Sequence, residues 1–130
     1  MYIELKTNRE DELIDITSKV KDIVKKSDIK NGSVKIFIPH TTAGITINEN
    51  ADPNVKQDIL KELNIIVPKN HNYKHSEGNS HAHIKASMMG SSVDIPYENN
   101  ELLLGTWQGI YFCEFDGPRK RKYIVSLTKK

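Results

Sequence analysis

The stretch VKIFIPHTTAGITINENADPNVKQDILKEL (Val34–Leu63) changes its hydrophobic period once, and that change decides the fold class. Val34, Ile36 and Ile38 alternate with polar or turn residues, and Ile45 and Ile47 do so again, the spacing of strands that bury one face. At Asp52-Pro53 the period lengthens. Aspartate accepts from the first free amides of a helix, and proline suits the first helical position because its missing N–H has no partner there. Val55, Ile59, Leu60 and Leu63 then follow at helical steps until Pro68. Outward from this stretch, alternation returns at Val93/Ile95, through Trp107–Phe115 and at Tyr123/Val125/Leu127. Leu13, Ile16, Val20, Ile23 and Val24 form one stripe, which predicts a helix over Asp11–Ser27 stopped by Asn31-Gly32. A short third helix is expected over His81–Met89, ended by Gly90, with Asp116-Gly117-Pro118 turning between the last two strands. Helices grouped between strands, rather than strictly alternating with them, predict an α+β fold. We expect a single domain over residues 1–130, a mixed or antiparallel sheet with two to three helices packed on it.

Composition narrows the function. A chain of 130 residues is too short for a (β/α)₈ barrel, which takes roughly 200 or more. Nineteen basic against seventeen acidic residues leave a net charge of +2, so no broad field for a nucleic-acid backbone exists and that partner is not expected. No apolar run is long enough for a membrane helix, and Met1-Tyr2-Ile3-Glu4 opens without a secretion signal, so a cytoplasmic protein without a membrane partner is expected. The single cysteine, Cys113, lies in an apolar run and reads as a small buried hydrophobe, not a nucleophile. In the same run Trp107 reads as core, and Gln108 as an amide needing a buried partner or a ligand.

Polar residues on the core-facing parity of strands need a reason to be there. His40 continues the Ile36/Ile38 parity, Glu49 that of Ile45/Ile47, and Arg119 and Arg121 precede Tyr123 on its own parity. Two inward guanidiniums suit a phosphate, because each presents a rigid fork of donors; the alternative is that they pair with Glu114 or another internal acid. Four of the five histidines fall between His71 and His83, which together with Glu77 and His40 suggests a transition-ion site. His81 and His83 would point about 200° apart on a helix and so would not share one ion. Gly78 and Asn79 beside Glu77 suggest a turn whose amides bind an anion. Asp52 is explained by its cap role, not as half of a carboxylate pair with Glu49.

The blocks HTTAGITINENADPNVKQDIL (His40–Leu60), HSEGNSHAHIKASMMGSS (His75–Ser92) and LGTWQGIYFCEFDGPRKRK (Leu104–Lys122) resemble, in order and over nearly the whole chain, the YjbQ or secondary thiamine-phosphate synthase family. The resemblance implies a small cytoplasmic α+β protein forming a homotrimer, with a site between subunits. It also implies a weak transferase that joins a hydroxymethylpyrimidine diphosphate to a thiazole phosphate and releases pyrophosphate. Family motifs fall on His40, Thr41 and Thr42; on Asn48, Glu49, Asn50 and Asp52; on His75, Glu77 and Gly78; on His83 and Lys85; and on Trp107, Gln108 and Arg119. Combined with the readings above, they nominate His40, His75 and His83 for a divalent metal, zinc or another transition ion, with magnesium arriving on the diphosphate. Thr41, Glu49 and Gln108 are the expected catalytic residues. Thr42, Asn50, Glu77, Gly78, Asn79, Lys85, Arg119 and Arg121 are expected to hold the small phosphorylated metabolite. His71 and His81 lie outside the motifs. If the strands ending at His40 and Glu49 form a hairpin, these two lie roughly 13 Å apart and share a site only across a subunit boundary. Two other readings stand beside the transferase: a trimeric metal- or phosphometabolite-binding protein, and a metal-dependent hydrolase with Glu49 as base on a three-histidine ion.

Overall fold

In the computed structural model, which describes residues 1–130, the alternating segments pair into two antiparallel sheets. The larger has the order β1 (Tyr2–Lys6), β8 (Lys120–Lys129), β3 (Gly32–Phe37), β5 (Ser92–Glu98), β6 (Glu101–Leu102). The smaller places β7 (Gln108–Glu114) between β2 (Glu12–Asp15) and β4 (Ala43–Glu49). Three helices complete the chain: α1 (Thr17–Lys25), α2 (Pro53–Ile66) and α3 (Ser80–Met89). This is the α+β single domain expected from the alternation. None of its helices is long and apolar enough to cross a membrane.

Parity along β7 builds two cores. Ile110 and Phe112 face the larger sheet and α1, joining Val20, Val24, Ile36, Ile45, Tyr123 and Val125. Tyr111 and Cys113 face the other way, where Leu13, Leu63, Ala82 and Ala86 bring α2 and α3 against the small sheet. The approach of α3 to β4 is close. A Cβ on Gly44 would meet the Gly90 carbonyl oxygen at 2.8 Å and the Met89 Cβ at 3.0 Å, so only glycine allows this packing.

Two expectations are corrected, the extent of the first helix and the burial of Trp107, and the structure adds β1 and the separation of β3 from β4. The helix predicted over Asp11–Ser27 begins only at Thr17, because Glu12–Asp15 is a strand paired with Tyr111–Glu114. Leu13 and Ile14 pack into different cores, as strand neighbours do, and the Asp15 carboxylate accepts from both the Thr17 amide and hydroxyl at the point where helix takes over. β1 was not anticipated, although Ile3 and Leu5 alternate with Glu4 and Lys6. β3 and β4 lie in different sheets and form no hairpin, whereas Asp116-Gly117-Pro118 does turn between the last two strands, β7 and β8, as expected, and carries the chain from one sheet to the other. Trp107 is not core: it precedes β7 and is 63% exposed.

Candidate functional site

Several of the expected site residues lie toward one or other end of the β4–β7 ladder, whose register runs from Ala43 opposite Glu114 to Glu49 opposite Gln108. Six strand steps of about 3.3 Å put those ends about 20 Å apart.

At the Glu114 end, Arg121 points inward as its parity requires, but it meets an acid. Its Nε donates to Glu114 Oε2 at 2.8 Å, and its Nη2 donates to Glu114 Oε1 at 2.5 Å and to the Thr42 hydroxyl at 2.8 Å. Glu114, with 0% exposure, also accepts from the Thr7 hydroxyl and the Asp116 amide, both at 2.9 Å. Burial alone would raise this carboxyl; the Arg121 guanidinium and the other donors outweigh it and hold Glu114 below the usual range. Arg121 and Thr42 are therefore committed to the fold, which corrects their assignment to phosphate and realises the Glu114 alternative. Arg119 is the exposed one of the pair, tethered to Asp116 through an Nη2–Oδ2 contact of 3.2 Å. Asn79 donates to the same Asp116 Oδ2 at 3.0 Å, so Asn79 and Arg119 do meet, through a shared carboxylate.

His40 lies beyond the end of β3, where its Nε2 stands 3.1 Å from the Lys122 amide nitrogen and 3.0 Å from the Lys122 carbonyl oxygen. The imidazole thus takes the place of the next β3 residue beside β8. Burial, then the Arg121 and Lys122 charges, lower its pKa, leaving a neutral ring with Nδ1 turned away from that contact. Lys6, Lys120 and Lys122 line the same shallow pocket, and Thr41 is exposed beside it.

His75 and His83 come together at the start of α3, ring centroids 5.4 Å apart and nearly perpendicular, with Glu77 Oε2 3.8 Å from His75 Nε2. Gly78 takes φ +78°, which turns the chain into α3. His40 does not join them. It packs edge-on to Phe112, on the inter-sheet side of β7, whereas α3 covers the opposite face. No three His, Cys, Asp or Glu side chains of one chain are placed to hold a metal, so the three-histidine set is not assembled within one subunit. Lys85 is also corrected. At 1% exposure its ammonium donates to Asp11 Oδ2 at 3.2 Å and to Asn64 Oδ1, tying α3 to the loop before β2 and to α2. Its neighbour one turn back, His81, is buried beside Glu10, and burial together with Lys85 lowers its pKa.

At the other end stand Glu49, Asn50 and Gln108. Glu49 Oε2 accepts from the Asp52 amide at 3.2 Å, while Asp52 caps α2 through the Asn54 amide at 2.9 Å, the role its position predicted. Asn50 Nδ2 donates to Asp15 Oδ2 at 3.1 Å. Burial raises the Asp15 pKa, but the Thr17 and Asn50 donors and the Lys56 charge together bring it below the ordinary value. Gly109 makes room for this contact, since a Cβ there would fall 2.3 Å from Asn50 Nδ2. Gln108 is exposed, and its Oε1 accepts from the Gly105 amide at 2.8 Å, so of the two partners expected for it, a buried group or a ligand, the buried group is not found. Sequence reasoning missed Asp15; the Asp-x-Thr spacing before a helix was the available signal. It also missed Thr7 and Asp116, whose roles arise only from distant pairing.

A family model described as "UPF0047 protein YjbQ-like" matches residues 1–130. A UPF0047 protein of Methanocaldococcus jannaschii is 53% identical over 95% of this chain and 90% of its own length. The UPF0047 protein YugU of Bacillus subtilis is 50% identical over 96% of each chain. Among solved structures, a conserved YjbQ/UPF0047 family protein of Clostridium acetobutylicum superposes with a TM-score of 0.96 at 59% identity, covering 98% of this chain and 99% of its own.

Proposed function

We propose, from the premise that this chain belongs to the YjbQ-like UPF0047 family, that it is a weak thiamine-phosphate synthase-type transferase whose site forms between copies in a cytoplasmic homotrimer. The observation that carries this reading is the division of the motif residues. Asn79 and Arg119 meet on Asp116 toward the Glu114 end of the ladder, His40 lies at that end on the other face of the small sheet, and Glu49, Asn50 and Gln108 stand about 20 Å away. One chain does not close such a site; a neighbouring copy set head to tail brings the two ends together. Exposed Ile84 and Met88, one turn apart on α3, give that neighbour an apolar face.

In the reaction the carbon–oxygen bond between the pyrimidine methylene and the diphosphate breaks, pyrophosphate leaves with the electron pair, and the thiazole nitrogen lone pair forms the new carbon–nitrogen bond. No protein nucleophile is needed. Arg119, Lys6, Lys120 and Lys122 supply positive charge toward the leaving group. Thr41 offers its hydroxyl beside them, and Glu49 orients the substrate from the facing copy. His75 and His83, short of a three-donor set within one chain, would need a further donor from the facing copy to hold a divalent ion, which when bound would neutralise the departing phosphates.

The test is complementation. Chains carrying His75→Ala and chains carrying Glu49→Gln should each be inactive in joining the two substrates. Mixed at equal amounts and reassembled, they should recover about a quarter of the wild-type sites, since each boundary draws its halves from two chains. Activity in either homogeneous variant, or none after mixing into verified mixed trimers, overturns the proposal.

A further inference from the structure

The larger sheet spends one face on the core and leaves the other open. Ile36, Ile95, Tyr123 and Val125 stand on the core parity, while the alternate positions of β1, β3, β5 and β8 are exposed or half-buried. Register sets three apolar side chains in one row on the open face. Tyr2 and Phe37 each stand opposite Ile124, from β1 on one side and β3 on the other, so two inter-strand spacings, about 10 Å, separate the two aromatic residues. Tyr2 is 65% exposed and Phe37 41%. Neither sits on a loose end. Met1 exchanges main-chain hydrogen bonds of 3.1 and 2.9 Å with Val125, and the Ile38 amide donates to the Ser91 carbonyl at 2.7 Å, so the platform is ordered before any ligand arrives.

Beside this row the face is basic. Two residues back along β8 comes Lys122, whose ammonium lies 5.1 Å from the Tyr2 ring centroid, and two further back Lys120, opposite Lys6. Glu4 is the one acid among them, opposite Lys122, whereas Asp94, Glu98 and Glu101 lie on the β5–β6 side of the sheet. The net charge of +2 averages over this division. A free phosphate uses the lysines but not the rings, and an apolar protein surface uses the rings but not three lysines. A strand of alternating phosphates and flat bases uses both. We propose that the open face of β1, β8 and β3 binds single-stranded nucleic acid, with bases stacked on Tyr2 and Phe37 and phosphates along Lys122, Lys120 and Lys6. This activity goes beyond the transferase reading and shares only the three lysines with it.

The experiment follows the fluorescence anisotropy of a labelled oligo(dT) of about ten nucleotides, a length within single-strand site sizes, titrated with the protein in its native assembly at several salt concentrations. Saturable binding is expected, with log affinity falling against log salt at a slope near −2, about 0.7 for each of three lysines. Phe37→Ala should weaken binding about 5- to 150-fold, the range of one base stack, and Phe37→Trp should retain it. If the thermal midpoint shows that Phe37→Ala does not fold, Tyr2→Ala reads the same loss at the other ring. Lys120→Gln should flatten the slope by about 0.7. Inorganic polyphosphate of equal charge binding as tightly as the oligonucleotide, or affinity unchanged in both alanine variants, assigns the lysines to phosphate alone and overturns the proposal. Absence of saturable binding at low salt overturns it too, and dissociation of the assembly by Phe37→Lys would then identify the row as a contact between copies. Turnover is read separately, so its absence sinks the transferase reading and leaves this one standing.

Discussion

Arg121→Leu separates a structural arginine from a phosphate ligand. The change removes two donors from Glu114, which is fully buried and keeps only the Thr7 hydroxyl and the Asp116 amide. Breaking a buried pair from one side costs about 3–5 kcal/mol, because a charge is left without its partner. With about 2.1 cal/mol/K of unfolding entropy per residue, a 130-residue chain should lose about 11–18 °C in Tm. The assay is thermal and guanidinium unfolding at fixed protein concentration, since assembly adds to apparent stability. The loss should depend on pH. In the wild type Glu114 lies below its unfolded value near 4.5, so its contribution is present above that pH and fades as pH falls through the folded value. In the variant, burial without the guanidinium raises Glu114 above the unfolded value, so destabilisation is greatest at neutral pH and shrinks as the carboxyl protonates. Arg121→Leu combined with Glu114→Leu should recover much of the loss. A Tm drop under about 3 °C, with diphosphate affinity abolished, would refute the assignment.

Other outcomes test separate contacts. Lys85→Met should cost about 1–3 kcal/mol in denaturant unfolding by stranding Asp11, with substrate affinity of the folded protein unchanged; unchanged stability with lost affinity would return Lys85 to the site. Gly109→Ala should push Asn50 away from Asp15 and destabilise by about 1–3 kcal/mol, and an undiminished guanidinium midpoint would contradict the packing. The Cys113 thiol, which burial pushes up to about 12, should resist alkylation at pH 8 in folded protein and react on unfolding; rapid native labelling would show that this strand opens.

Local chemistry made much of this legible. The Asp52-Pro53 start of α2, the Gly90 end of α3, the alternation of β3, β4, β5, β7 and β8, and the buried thiol all follow from the backbone's own periods and from caps satisfied within a few residues. The first helix was overextended because Leu13 and Ile16 also fit a strand followed by a helix, and the period does not separate the two over so few residues. The family blocks singled out the candidate residues, but not which of them are free. Parity showed that Arg121 faces inward; only the folding of Glu114, Thr7 and Thr42 onto it showed that an acid already occupies its guanidinium. In the same way His40 and His83 share no site within one chain, because the small sheet stands between them, and Trp107 leaves the core because the ladder ends one residue later. Period and capping are set by neighbours along the chain. Sheet membership, charge pairing and exposure are set by residues as far apart as Thr7 and Glu114, whose meeting depends on the packing of the whole domain.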